Sequence, residues 1–440
     1  MDSDAQEGLT AGDLRDSWDV LSDDERAEGF FALRRADQTE IFLEASSRDQ
    51  KMLLDHMAPA ERRSWIRLLA PDDAVDLIQL HRSAERDELM GMLDPVTRRE
   101  VTALLAYAED DAGGLMNPRF ARVRPDMTVD EAIAYLRRQA PERAELIYYA
   151  YVLDPEQRLL GVVSFRDLFA ARADRKVADV MRRDPVTVRE DTDQEVVSRL
   201  FAQHDLLALP VVDGDGRMKG LVTVDDIVDV VEEEATEDIQ RLGGSEALGA
   251  PYLEMPFLLM LRKRAGWLAA LFIGEMLTAT AMARFEDEIA RAVVLALFVP
   301  LIISSGGNSG SQASTLVIRA MALGEVKLRD WWRVARREVV QGVGLGAILG
   351  AIGLGRILVW QSVFHTYGDH ATRLALTVAT SLIGVVLWGC LAGSLLPFVL
   401  RRAGFDPASA SAPFVATLVD VSGLVIYFTT ANVILGGTLL

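Results

Sequence analysis

The chain has 440 residues, a formal net charge of −19 and hydrophobic side chains at 50% of its positions. Residues 251–440 carry 15 basic and 11 acidic side chains, so the first 250 residues hold a net charge of −23. Proteins that bind nucleic acids need a basic surface for the phosphates. The acidity of the first half therefore argues against a nucleic-acid partner. The single cysteine, Cys390, excludes an intramolecular disulfide. The acidic first residues do not resemble a signal peptide, so we expect the first half to stay in the cytoplasm.

Residues 1–113 show helical periodicity and a weak repeat. Segments that begin at Leu21, Met57 and Leu93 follow one another at intervals of 36 residues, and each places a capping position before a short apolar-periodic run. Short capped helices at a fixed period predict a small superhelical domain, with an ordinary helical bundle as the alternative. We expect its acidic residues to form a solvated face, of which a minority bind ions. These residues are Asp72, Asp73, Asp76, Asp87 and Asp94.

An α/β pattern occurs twice after Gly113-Gly114. The segment that begins at Met116 matches the one at Met181, and the segment at Gly161 matches the one at Gly220. A helical segment (129–138; 193–203) and an apolar strand (147–152; 207–212) lie within each repeat. The pattern predicts two β-α-β-β-α units that pack as a pair, because neither closes a core well alone.

The next segment, Val224–Leu242, has helical apolar spacing and is strongly acidic. It holds eight carboxylates and no basic side chain between residues 225 and 238. Like charges one turn apart each cost about 0.2–0.5 kcal/mol, so such a helix repels itself unless positive charge lies nearby. Arginine side chains or divalent cations held by oxygen ligands would supply that charge. A solvated acidic helix is the alternative.

Five hydrophobic segments in the second half are long enough to cross a bilayer core, which takes about 20 residues. The connections 319–337 and after residue 400 are basic, whereas 284–291 and 361–373 are poor in basic residues. The positive-inside rule therefore places the N-terminal half in the cytoplasm, and the odd number of spans places the C-terminus outside. The predicted spans are Ala265–Ala283, Ala292–Ile318, Val339–Trp360, Leu374–Leu400 and Ala408–Leu440.

Two of these spans hold an acidic residue. A carboxylate inside a membrane helix costs at least about 2.5 kcal/mol, so Asp420 in the last span is expected to face a polar pathway. Glu275 is expected to be a hydrogen-bonded interface residue, with a place in an ion path as the alternative. The second span contains the polar run Ser304–Gln312, whose Gly-Gly-Asn is expected to expose backbone carbonyls that are buried in protein or line a cavity, with close helix packing as the alternative for the glycines alone.

Other classes of function fit these features less well. A carrier of another solute needs a positive centre or half-helix ends at mid-membrane, and only Arg356, near a span end, offers a charge. A receptor without transport leaves Asp420 unexplained. An enzyme fits least, because the five histidines form no metal-binding pair within a span and no nucleophile lies beside a base.

The α/β repeat resembles a tandem pair of CBS motifs (a Bateman module). Together with the run Pro300–Arg319 and the motif Thr417–Gly423, the order of the modules closely resembles the MgtE family of magnesium channels over essentially the whole chain. This resemblance implies a homodimer with a pore on its axis for largely hydrated Mg²⁺, and implies that Asp420 forms the selectivity site. It also implies that high internal magnesium closes the pore.

The resemblance also implies site residues in the cytoplasmic part. In CBS motifs that bind nucleotides, a Ser or Thr and an Asp three residues later meet a ribose, which makes Ser164/Asp167 and Thr223/Asp226 candidates for ATP. Ala412 stands where the family often has Asn or Gly, so Asn308 and Thr417 are the candidates to hold water around the ion. The implied regulatory magnesium ligands are Asp193, Glu195, Asp226, Asp229, Glu234, Glu237, Asp238 and Asp406.

The sequence therefore predicts a multidomain membrane protein that is not an enzyme, with an α-helical superhelical N domain, α/β tandem CBS domains and an all-α five-helix transmembrane domain. We expect a magnesium-selective channel or transporter of the plasma (inner) membrane that cytoplasmic magnesium closes. The alternative is a CBS-regulated transporter of another divalent cation, such as cobalt or manganese, or of another solute. The predicted domains are the N domain 1–113, the CBS motifs 114–178 and 179–223, the acidic connecting helix 224–250 and the pore domain 251–440.

Overall fold

A computed structural model describes residues 10–143, 148–249, 252–253 and 255–436. The chain divides into two compact units, Met1–Glu232 and Glu233–Leu440, and the division falls within one long helix. The first unit begins with nine helices among its described residues. They are α1 Ala11–Ser17, α2 Asp23–Ala32, α3 Arg35–Glu44, α4 Ser47–Asp55, α5 Pro59–Ile66, α6 Pro71–Gln79, α7 Ser83–Met92, α8 Pro95–Leu104 and α9 Ala112–Leu115.

The helices α2 to α8 follow a period of 12 residues, one third of the 36-residue repeat. Their N-cap residues are evenly spaced along the chain, although only three of the seven caps accept a hydrogen bond through a Ser or Asp side chain. This regular spacing agrees with a superhelical stack of short helices. The seven N-cap residues are Ser22, Arg34, Ser46, Ala58, Ala70, Arg82 and Asp94.

One side chain in most of these helices caps the helix before it. The Gln50 amide donates to the carbonyls of Phe42 and Ala45 at 3.0 and 3.1 Å. The same position, four residues after the N-cap, is filled in the other helices by Gln or Arg with equivalent bonds, except at Ala74 in α6. These donors satisfy carbonyls that a helix end otherwise leaves without a partner. The other donors are Arg26, Gln38, Arg62, Arg86 and Arg98.

Two β-α-β-β-α units follow, as predicted from the repeat. In each, a short first strand pairs in parallel with the second, and the second and third form an antiparallel hairpin. The two hairpin turns hydrogen-bond to each other, Leu159 N to Gly216 O at 3.1 Å and Met218 N to Gln157 O at 3.0 Å. The elements are β1 Arg122–Val123, α10 Val129–Arg143, β2 Tyr149–Leu153, β3 Leu159–Ser164, α11 Phe165–Ala170, α12 Val177–Val180, β4 Arg182–Arg183, β5 Val188–Arg189, α13 Gln194–His204, β6 Ala208–Val212, β7 Met218–Thr223 and α14 Val224–Leu242.

The strand predicted at 147–152 begins at Tyr149, and Ile147 lies outside the described residues. A single apolar core connects the helical domain to the second α/β unit. It contains Val75 and Ile78 of α6 together with Phe201 of α13 and Ile227 of α14. Because all four side chains are buried, α6 has a fixed position beside the start of the acidic helix.

Among its described residues the second unit has five helices long and apolar enough to cross a membrane, one at each of the five predicted spans. The fifth begins at Ala412 rather than at Ala408, because residues 407–409 form a short 3₁₀ turn, and residues 437–440 lie outside the described chain. The helices of this unit are α15 Phe257–Arg284, α16 Glu286–Arg291, α17 Val293–Ala296, α18 Val299–Ala322, α19 Trp331–Phe364, α20 Ala371–Arg402 and α21 Ala412–Leu435.

Glycines set the packing of these helices. A Cβ atom added to Gly389 or Gly393 of α20 would lie 2.3 or 2.0 Å from the carbonyl oxygen of Gly306 or Gly310 of α18. Small residues at such crossings let membrane helices approach closely. The prediction that Gly306-Gly307-Asn308 exposes backbone carbonyls is wrong, and the alternative that the glycines serve helix packing is confirmed. Helix α18 is continuous, so its carbonyls belong to the helix, and the two glycines are buried in packing.

Candidate ion pathway and regulatory carboxylates

Asp420 lies in the third turn of α21 and is half-buried within the second unit. Helix α21 begins at Ala412, which places Asp420 about 12 Å along the helix axis from its first residue at 1.5 Å per residue. One turn before it, Thr417 donates its hydroxyl to the Pro413 carbonyl at 3.0 Å. The carboxylate is therefore held on a rigid helix near the end that bears the Arg401–Arg402 connection.

A polar stripe on α18 runs beside this part of α21. Gly307 lies against Ala416, with a built Cβ 3.5 Å from the Ala416 Cα, so Asn308 lies on the helix pair that carries Asp420. The Asn308 amide contacts the Ser304 hydroxyl at 3.4 Å. The stripe is exposed in a single chain, which leaves its side chains open to a pathway. Its members are Ser304, Asn308, Gln312 and Thr315.

Glu275 of α15 belongs to the same region. It is near enough to Asp420 for the two charges to interact, and it lines a cavity of about 920 Å³ together with Thr417. Apart from Glu275, Thr417 and Arg264, its lining side chains are apolar. Glu275 has no hydrogen bond to another described residue of this chain, and its role stays a prediction.

Carboxylates from two distant parts of the first unit meet beside α14. Asp76 of α6 lies close to Asp226, Asp73, Glu109 and Asp229. Its side chain is accessible from solvent, yet the surrounding protein and the like charges raise the pKa of Asp76 to about 8. Crowded carboxylates of this kind favour a proton or a bound cation. The sequence did not reveal this meeting, because about 150 residues separate α6 from α14.

The two partners of Asp76 on α14 are perturbed in the same direction. Burial raises the pKa of Asp226 to about 7, although the Thr223 hydroxyl donates to its carboxylate at 2.7 Å. The pKa of Asp229 is also raised, mainly by partial burial and then by the negative charges of Glu232 and Asp225. The first half of α14 thus repels itself as predicted, and α6 adds to that repulsion.

Asp193 and Glu195 lie at the start of α13, on the same unit. The Asp193 carboxylate accepts the Glu195 N–H at 2.9 Å and caps the helix. Asp193 also forms a β-bridge with Asp111, in the acidic loop that holds Glu109. The residues predicted from sequence did not include this loop, whose run Glu109-Asp110-Asp111 was the available signal.

In the second unit, Asp406 meets the last turns of α14 through an arginine. The Arg241 guanidinium forms ion pairs with both Glu237 and Asp406. Leu242 packs in one apolar cluster with Ile318 and Ala408, at the ends of the membrane helices. Asp406, one of the implied magnesium ligands, therefore lies against the connecting helix with a fixed cation between the carboxylates. Glu234 and Asp238 lie on the same helix segment and are partly buried.

The two candidate nucleotide pairs have matching geometry. The Ser164 hydroxyl donates to Asp167 at 2.7 Å, as Thr223 donates to Asp226. Ser164 also caps α11 by accepting the Asp167 N–H, so this pair has a structural role of its own. Beside Tyr149 and Ala208 the module has a cavity of about 10 Å³, enough for about one water molecule.

Among the residues that the structure describes, no three His, Cys, Asp or Glu side chains converge to hold a metal by themselves. Magnesium usually keeps several of its waters and takes only one or two carboxylates, so paired carboxylates remain suitable partners for a hydrated ion.

Comparison with known proteins identifies the family. Family models match the intracellular N domain of MgtE at residues 9–110, CBS domains at 112–174 and 177–233, and the MgtE divalent cation transporter domain at 299–430. The chain is 42% identical to the magnesium transporter MgtE of Thermus thermophilus, over 96% of this chain and 92% of that protein. The chain belongs to the MgtE family.

A second curated relative agrees with this membership. The magnesium transporter MgtE of Enterococcus faecalis is 35% identical over 76% of this chain and 71% of its own length. A crystal structure of the cytosolic domain of the Mg²⁺ channel MgtE in complex with ATP is 44% identical, with a TM-score of 0.47 over 51% of this chain and 91% of that one. The predicted family, fold class and membrane transport role are confirmed. The assignment of single residues to magnesium stays a prediction.

Proposed function

We propose that this protein conducts Mg²⁺ across the membrane through a pathway in which Asp420 is the central carboxylate. The observation that carries the proposal is the position of Asp420 on α21 beside the polar stripe of α18 and the cavity lined by Thr417 and Glu275. Magnesium dehydrates reluctantly, so a pathway for it needs negative charge and room for water rather than a closed set of ligands. The magnesium transport of the relatives supports the same ion.

The polar stripe lies open in one chain, and α15 has no buried residue. A second copy of the chain would cover both and place two Asp420 side chains about one axis, so we propose a homodimer. We also propose that the soluble unit lies in the cytoplasm and the end of α21 outside, as the basic connections 319–337 and 401–402 indicate. Light scattering of the detergent-solubilised protein, corrected for detergent, distinguishes a dimer from a monomer.

The flux of Mg²⁺ into proteoliposomes loaded with a magnesium-sensitive dye tests the transport proposal. We expect flux that requires the protein and exceeds the flux of cobalt and manganese under the same gradient. Cobalt or manganese flux without magnesium flux would replace the proposal with transport of another divalent cation. The absence of flux for all three ions, with low magnesium on the cytoplasmic face, would overturn it.

Cytoplasmic magnesium is proposed to close the pathway by binding among the acidic side chains. The carboxylates around Asp76 and Asp226 in the first unit repel one another without a cation, and the later part of α14, in the second unit, carries three further acidic side chains, Glu234, Glu237 and Asp238. Bound ions remove that repulsion and hold the helices in one arrangement. Replacement of Glu234, Glu237 and Asp238 by the corresponding amides is expected to weaken inhibition by cytoplasmic magnesium, and unchanged inhibition would contradict this scheme.

A nucleotide such as ATP is proposed to bind the CBS pair at Ser164 and Asp167. This pair is preferred over Thr223 and Asp226, because Asp226 already lies among the carboxylates around Asp76. Calorimetric titration of the full chain with ATP is expected to show binding that the Ser164→Ala/Asp167→Asn variant loses. A loss caused instead by Thr223→Val would assign the nucleotide to the second motif.

A further inference from the structure

The start of α19 carries a dense group of exposed cations, which we call the basic entry of α19. Five basic side chains occur within eleven residues and all are exposed. Trp331 and Trp332 lie among them with 49% and 63% of their surfaces exposed. The five cations are Lys327, Arg329, Arg333, Arg336 and Arg337.

These cations are almost entirely without acidic partners in the second unit. Arg333 pairs with Asp330 at 3.4 Å, and the other four make no ion pair with any described residue. Asp330 also interacts with the charge of Arg329, Glu338 interacts with that of Arg337, and Glu325 lies two residues before Lys327. The five cations outnumber these three carboxylates, so the surface keeps a net positive charge.

The helix geometry shows what this surface faces. Trp332, Arg336 and Val340 are each four residues apart and share one face, and Val340 is 71% exposed in the apolar part of the span. Arg336 is two residues before the buried Glu338, which is about 200° around the helix. The opposite face, with Gly342 and Gly346, packs against α20. The face with Trp332 and Arg336 therefore turns away from the helix bundle, one to two turns before the apolar section.

We propose that the basic entry of α19 binds the phosphate groups of acidic phospholipids in the leaflet that the helix enters. Arginine guanidinium groups bind phosphate through paired N–H donors, and exposed tryptophans prefer the depth of the lipid headgroups. Clusters of this size next to a membrane helix attract anionic lipids. The proposal rests on α19 as a membrane span but not on the ion that the protein transports.

A second copy of the chain fits this surface less well. In a twofold contact centred on this surface, the same patch of the second copy would face it. The cations of the two copies would then repel each other. An acidic lipid surface supplies the opposite charge and also accommodates the two tryptophans.

Tryptophan quenching in nanodiscs tests the proposal on the full chain. The discs contain phosphatidylcholine with a minor fraction of phosphatidylglycerol. In one sample the phosphatidylglycerol carries brominated acyl chains, and in the other an equal mole fraction of the phosphatidylcholine does. We expect stronger quenching by brominated phosphatidylglycerol, an excess that high salt reduces. The Trp331→Phe/Trp332→Phe variant is expected to remove most of the excess, which locates it among the seven tryptophans.

The charge dependence is tested with matched variants. Arg329→Gln/Arg336→Gln/Arg337→Gln is expected to lower the preference for phosphatidylglycerol about fivefold or more, since each cation near an anionic surface contributes about that factor. The control Arg284→Gln/Arg291→Gln/Arg373→Gln removes three exposed cations from the other ends of the spans and should leave the excess intact.

Equal quenching by the two brominated lipids in the wild type would overturn the proposal, whether or not the variants fold. An equal loss in the control variant would overturn it as well, because the binding would then follow total charge rather than this surface. Neither result depends on magnesium flux.

Discussion

The surrounding protein and neighbouring carboxylates raise the pKa values of Asp76 and Asp226, so both carboxyls bind a proton more readily than ordinary ones do. The folded-state pKa values of about 8 and about 7 exceed the ordinary value of 3.8. A group with a raised folded-state pKa stabilises the fold below its unfolded pKa, and this contribution is lost as the pH rises through the folded-state value. A cation bound at the same place replaces the proton.

We therefore expect magnesium to stabilise the full chain more at pH 8 than at pH 5.5. Without magnesium the melting temperature of the soluble part should fall by about 3 °C or more across this interval, and magnesium should restore it at pH 8. Thermal unfolding in detergent measures both effects. The Asp76→Asn/Asp226→Asn variant should lose them, whereas Asp87→Asn, an exposed acid on α7, should behave as the wild type does.

The role of Arg241 also follows from its contacts. It supplies positive charge to Glu237 and Asp406 when no magnesium is present. In Arg241→Gln the two carboxylates lose this partner, so the contact that holds α14 to the 406 loop should depend on magnesium alone.

For Arg241→Gln we expect flux at low cytoplasmic magnesium to rise about two- to fivefold, as for the loss of a partly exposed ion pair. Inhibition by magnesium should become steeper. Dye-based flux at several internal magnesium concentrations measures both. Arg182→Gln, in an exposed part of the CBS pair, serves as the control, and equal flux in the two variants would contradict this role of Arg241.

At the scale of elements, the contact between α19 and α20 depends on glycines four residues apart. A Cβ atom added to Gly346 would lie 2.7 Å from the Ile383 Cα, and one added to Gly342 would lie 2.9 Å from the Leu387 Cα. Gly344, two residues from Gly346, has no atom within 4 Å of such a position.

Gly346→Leu is therefore expected to separate the two helices and to cost about 1–3 kcal/mol, as overpacking of a close contact does. Gly344→Leu should cost much less, because its side chain would point into open space. Thermal unfolding in detergent compares the two variants. Equal stability would show that the close approach of α19 to α20 does not support the membrane unit.

The elements also show what the sequence reveals. The five spans were predictable because an apolar run of this length with few charges is typical of a membrane helix. The 36-residue repeat was visible in the sequence, but the 12-residue period was not. Its N-caps include Ser, Arg, Ala and Asp, and its carbonyl-capping position is Arg in four helices, Gln in two and Ala in one. The capping bonds, such as those of Gln50, become apparent only when the preceding helix end is placed.

At the scale of the whole molecule, local sequence patterns were predictable, whereas contacts between residues far apart in the sequence were not. Asp420 could be singled out because a charge inside an apolar span is rare. The approach of Asp76 to Asp226 and the pairing of Arg241 with Asp406 join segments more than 140 residues apart, so no spacing in the sequence indicates them. The acidic composition of the first unit predicted that cations would matter, without showing which carboxylates meet.

The central claim is that Asp420 controls the passage of magnesium. Asp420→Asn keeps the shape of the side chain and removes its charge, and Glu338→Gln does the same for a carboxylate buried between α19 and α20, away from the polar stripe. Magnesium flux in proteoliposomes compares both with the wild type at low cytoplasmic magnesium. We predict that Asp420→Asn loses magnesium flux or its preference over other divalent cations, while Glu338→Gln retains both. Unchanged selective flux in Asp420→Asn would contradict the claim.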